Sequence, residues 1–154
     1  TLIDAWEGMQ IPLWIVGDGE LRHSLKNKNP LIRWLGAMPA QSVARIMSRA
    51  EFLVVPSECY ENFPLVVAEA FSMGLPVVAS RLGALVKIIQ HEDSGLHFEA
   101  GNAGDLKSKV QSLAQNPALR ERLSRGGLRE YQEKYTPEKN RARLLEIYQS
   151  VSKH

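Results

Sequence analysis

The stretch PSECYENFPLVVAEAFSMGLPVVAS, residues 56–80, decides both the fold and the site that we predict for this chain. An apolar run ends at Pro56, and a polar loop follows. Pro64 suits the first position of a helix, where a missing amide hydrogen costs nothing. Gly74 supplies a stop for that helix, and a second apolar run begins at Pro76. The stretch therefore predicts a strand, a loop, a helix and a second strand, in that order.

Apolar runs of strand length recur on both sides of this stretch. The five runs are PLWIV (12–16), IRWLG (32–36), FLVVP (52–56), PVVAS (76–80) and the weaker GLHFE (95–99). Such runs are typical of parallel strands that are buried on both faces. Helical patterns lie between and after them, at 19–27, 40–50, 64–73, 103–114, 117–134 and 137–151. The alternation predicts an α/β fold: a Rossmann-like, doubly wound parallel sheet with extra C-terminal helices.

Local details add three expectations. Residues 1–10 resemble the tail of a helix that leads into the first strand. Gly126 and Gly127 predict a break in the helix over 117–134. The aromatic residues of the strand patterns are expected in the core: Trp14, Trp34 and Phe52.

Composition limits the class of protein. The 154 residues are 44% hydrophobic and 23% charged, as in a globular domain, and no apolar run approaches the roughly 20 residues of a membrane span. A net charge of +2 gives no reason to expect a nucleic-acid partner. Cys59 is the single cysteine, so an internal disulfide is excluded, and no cysteine–histidine cluster has metal-ligand spacing. We expect a cytoplasmic location and no bound metal.

Two glutamates flank the predicted start of the helix at Pro64. Seven residues separate Glu61, in the loop, from Glu69, which lies about 7 Å along the helix from Pro64. Helix N-termini present unpaired amides and the positive end of the helix dipole, and both favour phosphate. In an open α/β sheet, ligands bind beyond the carboxyl ends of the strands, where this loop lies. A diphosphate on the amides of residues 62–66 would therefore have a carboxylate on each side, and carboxylates accept hydrogen bonds from sugar hydroxyls.

The whole ordered string, and not the glutamate pair alone, resembles a known family motif. It is similar to the E-x7-E motif of retaining glycosyltransferases with the GT-B fold, especially glycosyltransferase family 4. The matching residues are Pro56-Ser57, Glu61, Phe63, Glu69-Ala70 and Gly74-Leu75-Pro76-Val77.

The flanking segments resemble the same family. IVGDGE (15–20) is similar to a strand that ends in a glycine-aspartate-glycine turn at Gly17, although these glycines could equally form only a tight turn. IRWLGAM (32–38) is similar to a strand and loop that read the nucleotide base near Met38. Nearly the whole chain resembles the C-terminal, donor-binding half of the GT-B fold.

The resemblance implies transfer of a glycosyl group from a UDP-, GDP- or ADP-sugar, with retention of configuration and without a cofactor or metal. It implies that Glu61 is catalytic and holds the donor hexose, and that Glu69 binds the ribose. The acceptor, whether a sugar, a lipid-linked sugar or another molecule, is left open. The other residues expected to contact the donor are Asn62, Phe63, Pro64, Leu65, Val66, Met38 and Gly17.

The chain also departs from the family pattern. The family's donor domain opens with a strand and a glycine-arginine, then lysine-glycine segment, and an acceptor domain precedes it; none of these is found in residues 1–154. We therefore expect a single nucleotide-sugar-binding domain that is a fragment, with an exposed sheet edge open to self-association and peripheral membrane contact only through the other domain. The alternatives are a stand-alone nucleotide-binding module without turnover, and another GT-B enzyme such as a nucleotide-sugar epimerase or a glycogen-type synthase.

Overall fold

The structure, a computed structural model, describes residues 1–20, 29–60 and 62–151. The predicted helix over 19–27 falls almost entirely outside these ranges. The described elements are, in chain order, α1 (Leu2–Ala5), β1 (Leu13–Val16), β2 (Ile32–Gly36), α2 (Ala40–Met47), β3 (Leu53–Val55), α3 (Leu65–Ser72), β4 (Val77–Ser80), α4 (Leu85–Ile88), β5 (Gly95–Phe98), α5 (Ala103–Gln115), α6 (Pro117–Glu130), a π-helical turn (Tyr131–Tyr135) and α7 (Pro137–Val151). All five predicted strands are confirmed, and α4 is an addition to the predicted helices.

The five strands are parallel and form two hydrogen-bonded sheets. β1 pairs with β2, with Leu13 opposite Ile32, and the second sheet has the order β3-β4-β5, with Val78 opposite Leu96. The prediction of a parallel sheet is thus confirmed, but the described strands do not form one continuous ladder.

Helices cover both faces of the strands, as a doubly wound fold requires. The first core cluster joins α1, α5 and α6 to the strands through Ile3, Ala5, Trp6, Met9, Leu13, Ile32, Val78, Leu96, Phe98, Leu106, Val110, Leu113 and Leu123. The second core cluster joins α2, α3 and α4 to β3 and β4 through Met47, Val55, Val67, Ala70, Phe71, Leu75, Val77, Ala79, Leu85, Ile88 and Ile89. Along β4 the side chains alternate between the clusters, because successive residues of a strand point to opposite faces.

The expectation that all three strand aromatics lie in the core is wrong for Trp14. Leu13 is only 9% exposed, whereas its neighbour Trp14 points to the other face of β1 and is 43% exposed. Trp34 and Phe52 are half-buried and pack against the first core cluster. Apolar runs show that a strand is buried, but not how fully each of its faces is covered.

The predicted helix break at Gly126 and Gly127 is also wrong, because both glycines serve close packing inside α6. A Cβ on Gly126 would overlap the carbonyl oxygen of Asp93 and lie 3.2 Å from the Cα of Ser94. A Cβ on Gly127 would lie 2.8 Å from Cδ1 of Phe71. The α-helix ends instead at Glu130, where the π-helical turn begins.

Helix α7 follows the turn and projects from the body of the domain. Its N-terminus is capped by Thr136, whose Oγ1 accepts a hydrogen bond from the amide of Lys139 at 3.3 Å. Every residue of α7 is exposed. Its large apolar residues lie mostly on one side at helical spacing: Leu144, Ile147, Tyr148 and Val151. No helix in the described ranges combines the length and apolar character needed to cross a membrane.

Two stacked histidines hold the segment that enters β5. The rings of His91 and His97 have centroids 5.8 Å apart, and the amide of His97 donates a hydrogen bond to Nδ1 of His91 at 2.9 Å. Nε2 of His97 lies 3.0 Å from the carbonyl oxygen of Ile89. The pKa of His91 is lowered, first by burial and then by the neighbouring His97. These contacts give His91 and His97 a structural role.

We expect the substitution Gly126→Ala to destabilise the fold by about 1–3 kcal/mol, because the new methyl group meets the backbone of residues 93 and 94 rather than a flexible side chain. Urea unfolding measures the change. Gly104→Ala is the matched control: Gly104 also lies in a helix, but a Cβ there meets only Oδ1 of Asn102, at 3.4 Å. The control should be neutral or slightly stabilising, and equal losses in both variants would contradict the packing argument.

We expect the folded chain to lose stability as the pH falls below about 6.5, the ordinary value for histidine. The pKa of His91 is lower in the folded state, so the unfolded chain takes up the proton first, and stability falls until the pH has passed the folded pKa. Protonation of Nδ1 would also break the bond from His97. Urea midpoints between pH 7 and 5 should fall more steeply in the unchanged chain than in His91→Gln. A folded-state pKa of 6.5 or above, measured by NMR titration of His91, would overturn this.

Candidate functional site

The loops that follow the strands meet at the carboxyl edge of each sheet. In the first sheet, the amide of Gly17 donates to the carbonyl oxygen of Gly36 at 2.9 Å, which ties the ends of β1 and β2 together. In the second sheet, Oγ of Ser80 donates to the carbonyl oxygen of Ser57 at 2.7 Å, which ties the end of β4 to the loop after β3. That loop leads directly into α3.

The start of α3 reaches the surface on one side. Pro64 is the N-cap residue, with an extended ψ of 97°, so the helix begins at Leu65, one residue later than predicted. The amide of Val67 donates to the carbonyl oxygen of Pro64 at 3.0 Å. The amides of Leu65 and Val66 belong to the first turn, where a helix supplies no acceptor of its own. Leu65 is 69% exposed, whereas Pro64 before it is buried, so the helix start meets the surface on the side of Leu65. Helix starts at a surface are favourable places for an anion.

Glu69 lies on the second turn of the same helix, with an exposed side chain. Its carboxylate forms no ion pair with any residue that the structure describes. Its backbone carbonyl accepts a hydrogen bond from Oγ of Ser72 at 2.7 Å. The carboxylate is therefore available as a hydrogen-bond acceptor for a ligand that docks at the start of the helix.

The predicted site residues fall into two groups. Residues 62–66 and Glu69 come together because they belong to one loop and one helix. Glu61, the predicted catalytic residue, lies outside the described residues. Among the residues described, no group of three or more histidine, cysteine, aspartate or glutamate side chains is placed to hold a metal.

Gly17 and Met38 form the second group, at the end of the first sheet. Gly17 has a φ of 130°, which favours glycine, and Met38 is half-buried two residues after β2. The cavity beside Gly17 has a volume of about 450 Å³ and is lined by Ile15, Val16, Gly17, Asp18, Gly19, Glu20 and Trp34. No hydrogen bond or ring contact within the described ranges joins Gly17 or Met38 to α3. The structure thus places both of these predicted residues at the end of the first sheet.

One residue at the site was missed by the sequence analysis. The ring of Tyr135, in the π-helical turn, packs against Phe63 with centroids 5.6 Å apart and an interplanar angle of 57°. Burial raises the pKa of Tyr135. The only signal in the sequence was a tyrosine at the end of a helical pattern, far from the motif along the chain.

Comparisons with known proteins agree with the fold. The family described as glycosyl transferases, group 1, matches residues 1–116. An uncharacterized glycosyltransferase of Methanocaldococcus jannaschii is 35% identical over 98% of this chain and 44% of its own length. Among solved structures, sucrose-phosphate synthase from Thermosynechococcus elongatus superimposes with a TM-score of 0.85 and 25% identity, over 97% of this chain and 41% of that one. HepE of Anabaena in complex with UDP-glucose gives a TM-score of 0.86 at 20% identity, over 97% and 44%.

Proposed function

The chain belongs to the group 1 glycosyltransferase family, and we propose that it forms the donor-binding domain of a retaining transferase. The sequence motif and the fold, which closely matches GT-B glycosyltransferases, support this proposal. The chain spans less than half the length of the curated relative it matches, so the activity of the whole polypeptide is part of the proposal.

The start of α3 is the observation that carries the proposal. It combines first-turn amides at an exposed surface with an exposed carboxylate, that of Glu69, one turn further along. We infer that the amides near Leu65 and Val66 receive the diphosphate of a UDP-, GDP- or ADP-sugar. The related fold of HepE holds UDP-glucose, which supports this class of ligand.

The two glutamates would hold the two sugars of the donor. Glu69 is proposed to accept hydrogen bonds from the ribose, and Glu61 from the hexose beside the bond that breaks. As the nucleoside diphosphate leaves, negative charge grows on the phosphate oxygen, and the amides at the start of α3 would stabilise it. Gly17 and Met38 are proposed to line the donor site from the first sheet, and no metal or cofactor is part of this mechanism.

We further propose that one more parallel strand lies between β1 and β3. Helices α2, α3 and α4 pack on one face, and α1 packs on the other. Because crossovers are right-handed, a strand that feeds α1 lies beside β1, on the side toward β3. β1 and β3 are largely half-buried or exposed, whereas every residue of β4 and β5 is buried. Residues preceding Thr1 in a longer polypeptide would supply the strand, and pairing with a second copy is the competing outcome.

Glycosyl transfer is proposed for the longer polypeptide and not for these 154 residues alone. A transferase must position donor and acceptor together, and such positioning supplies up to about 7–11 kcal/mol of the barrier reduction in well-oriented reactions. The chain would supply donor binding, and the remainder would supply the acceptor site and any contact with a membrane. The proposal leaves the acceptor open: a sugar, a lipid-linked sugar or another molecule.

We expect the 154-residue chain to bind UDP, GDP or ADP weakly. The arginine and lysine that bind the diphosphate in the family have no counterpart in these residues, and charge-assisted hydrogen bonds are the stronger ones. NMR titration at millimolar nucleotide should shift the amides of residues 62, 63 and 65–69. Uridine, guanosine and adenosine without phosphates are the controls and should produce much smaller shifts. If none of the three diphosphates perturbs these amides, the proposed function is wrong.

We expect the two glutamates to separate binding from turnover in the full-length enzyme. Glu69→Gln should weaken nucleoside diphosphate binding by about 10- to 100-fold, as expected for the loss of a charged hydrogen bond. Glu61→Gln should leave that affinity nearly unchanged and lower kcat, because the hexose is absent from the product nucleotide. Calorimetry and initial rates measure the two effects. Glu146→Gln, at an exposed position on α7, is the control and should change neither quantity. Equal effects of Glu61→Gln and Glu69→Gln on the affinity for the nucleoside diphosphate would contradict the assignment.

A further inference from the structure

The π-helical turn links the C-terminal helices to the candidate site. Residues Tyr131–Tyr135 lie between α6 and α7 and pack against α3, the helix that carries Glu69. Tyr131 and Tyr135 are both half-buried against the second core cluster. Turns of this kind are rare and occur frequently at functional sites.

One contact holds the turn to the end of α6, and another places that end against α3. Nζ of Lys134 donates to Oε2 of Glu130 at 2.7 Å, and the Glu130 side chain is only 8% exposed. That hydrogen bond raises the pKa of Lys134. Just before the turn, Gly127 brings the backbone of α6 against the Phe71 ring on α3. The Glu130–Lys134 pair therefore ties the turn to the end of α6, and the close approach at Gly127 places that end of α6 against α3.

Tyr135 extends from this turn to the loop that precedes α3. Its ring meets that of Phe63, two residues before the first residue of the helix, in the tilted arrangement that aromatic pairs prefer. Phe63 is 43% exposed, and Asn62 beside it is exposed as well. Tyr135 thus gives the exposed loop a ring contact with a fixed part of the fold.

We propose that Tyr135 is a positioning residue for the nucleotide site, holding Phe63 so that the amides at the start of α3 stand ready for the diphosphate. This inference rests on the proposed function and adds a residue to it. A loop that is already ordered costs less to bind than one that the ligand must order. The aromatic face of Tyr135, and not its hydroxyl, performs this role.

The test compares three variants of the 154-residue chain. Tyr135→Leu removes the ring, Tyr135→Phe keeps it, and Tyr131→Leu is the matched control, because Tyr131 belongs to the same turn and packs against the same cluster. Calorimetry with UDP, GDP and ADP identifies the tightest binder of the unchanged chain, and its Kd is then measured for each variant together with Tm. We expect Tyr135→Leu to raise Kd by about three- to tenfold, in the range of a lost aromatic pair. Tyr135→Phe and Tyr131→Leu should stay near the unchanged value.

A double-mutant cycle with Phe63→Leu makes the test specific. Once Phe63 is replaced, Tyr135→Leu should raise Kd no further, because the contact is already lost. Equal effects of Tyr135→Leu and Tyr131→Leu on Kd, or full additivity with Phe63→Leu, would overturn the inference.

Backbone NMR order parameters separate this inference from the proposed function, because they need no nucleotide. The order parameters of the amides of residues 62, 63, 65 and 66 should be lower in Tyr135→Leu than in Tyr131→Leu, with equal values in Tyr135→Phe and the unchanged chain. Unchanged order parameters in Tyr135→Leu mean that Tyr135 does not position the loop, whatever the chain binds. Lower order parameters in a chain that binds no nucleotide would leave the contact in place and refute its stated role.

Discussion

Both faces of β4 have to be covered, because its four residues are buried and their side chains alternate between two core clusters. Helices must therefore pack on each side of the second sheet. Right-handed crossovers take α3 and α4 to one side, and α5 covers the other. Helix α3 connects β3 to β4 across one face of the second sheet, and it begins at the carboxyl edge of that sheet. The position of the candidate site is thus a result of covering this strand.

Helix α3 has only eight residues, and its two faces have different roles: one packs in the core and the other faces the candidate site. Val67, Ala70 and Phe71 are completely buried, whereas Leu65 is 69% exposed and Glu69 is also exposed. The buried face fixes the direction of the helix axis, so the amides at its start point to one place at the edge of the sheet. A ligand bound there would gain from this order without having to create it.

The strands and the contiguous part of the site could be predicted because their signals are local. Apolar runs locate all five strands, and the preference of proline for the start of a helix places that start within one residue of Pro64. Contacts between distant parts of the chain could not be predicted in this way. From the sequence alone, the two glycines of α6 suggest a break in the helix. The structure shows that Gly126 is needed because the backbone of Asp93 lies against it. The pair formed by Phe63 and Tyr135 likewise joins segments that no pattern relates. The roles of Glu61 and Glu69 stay predictions.

Helix α7 has a consequence for how the chain unfolds. All of its 15 residues are exposed, and an isolated helix of up to about 15 residues is marginal in water. In this chain α7 therefore opens at almost no cost in free energy while the strands stay closed. Heating melts it ahead of the core, so helical signal declines before the main transition and a two-state fit underestimates the cooperativity of the domain.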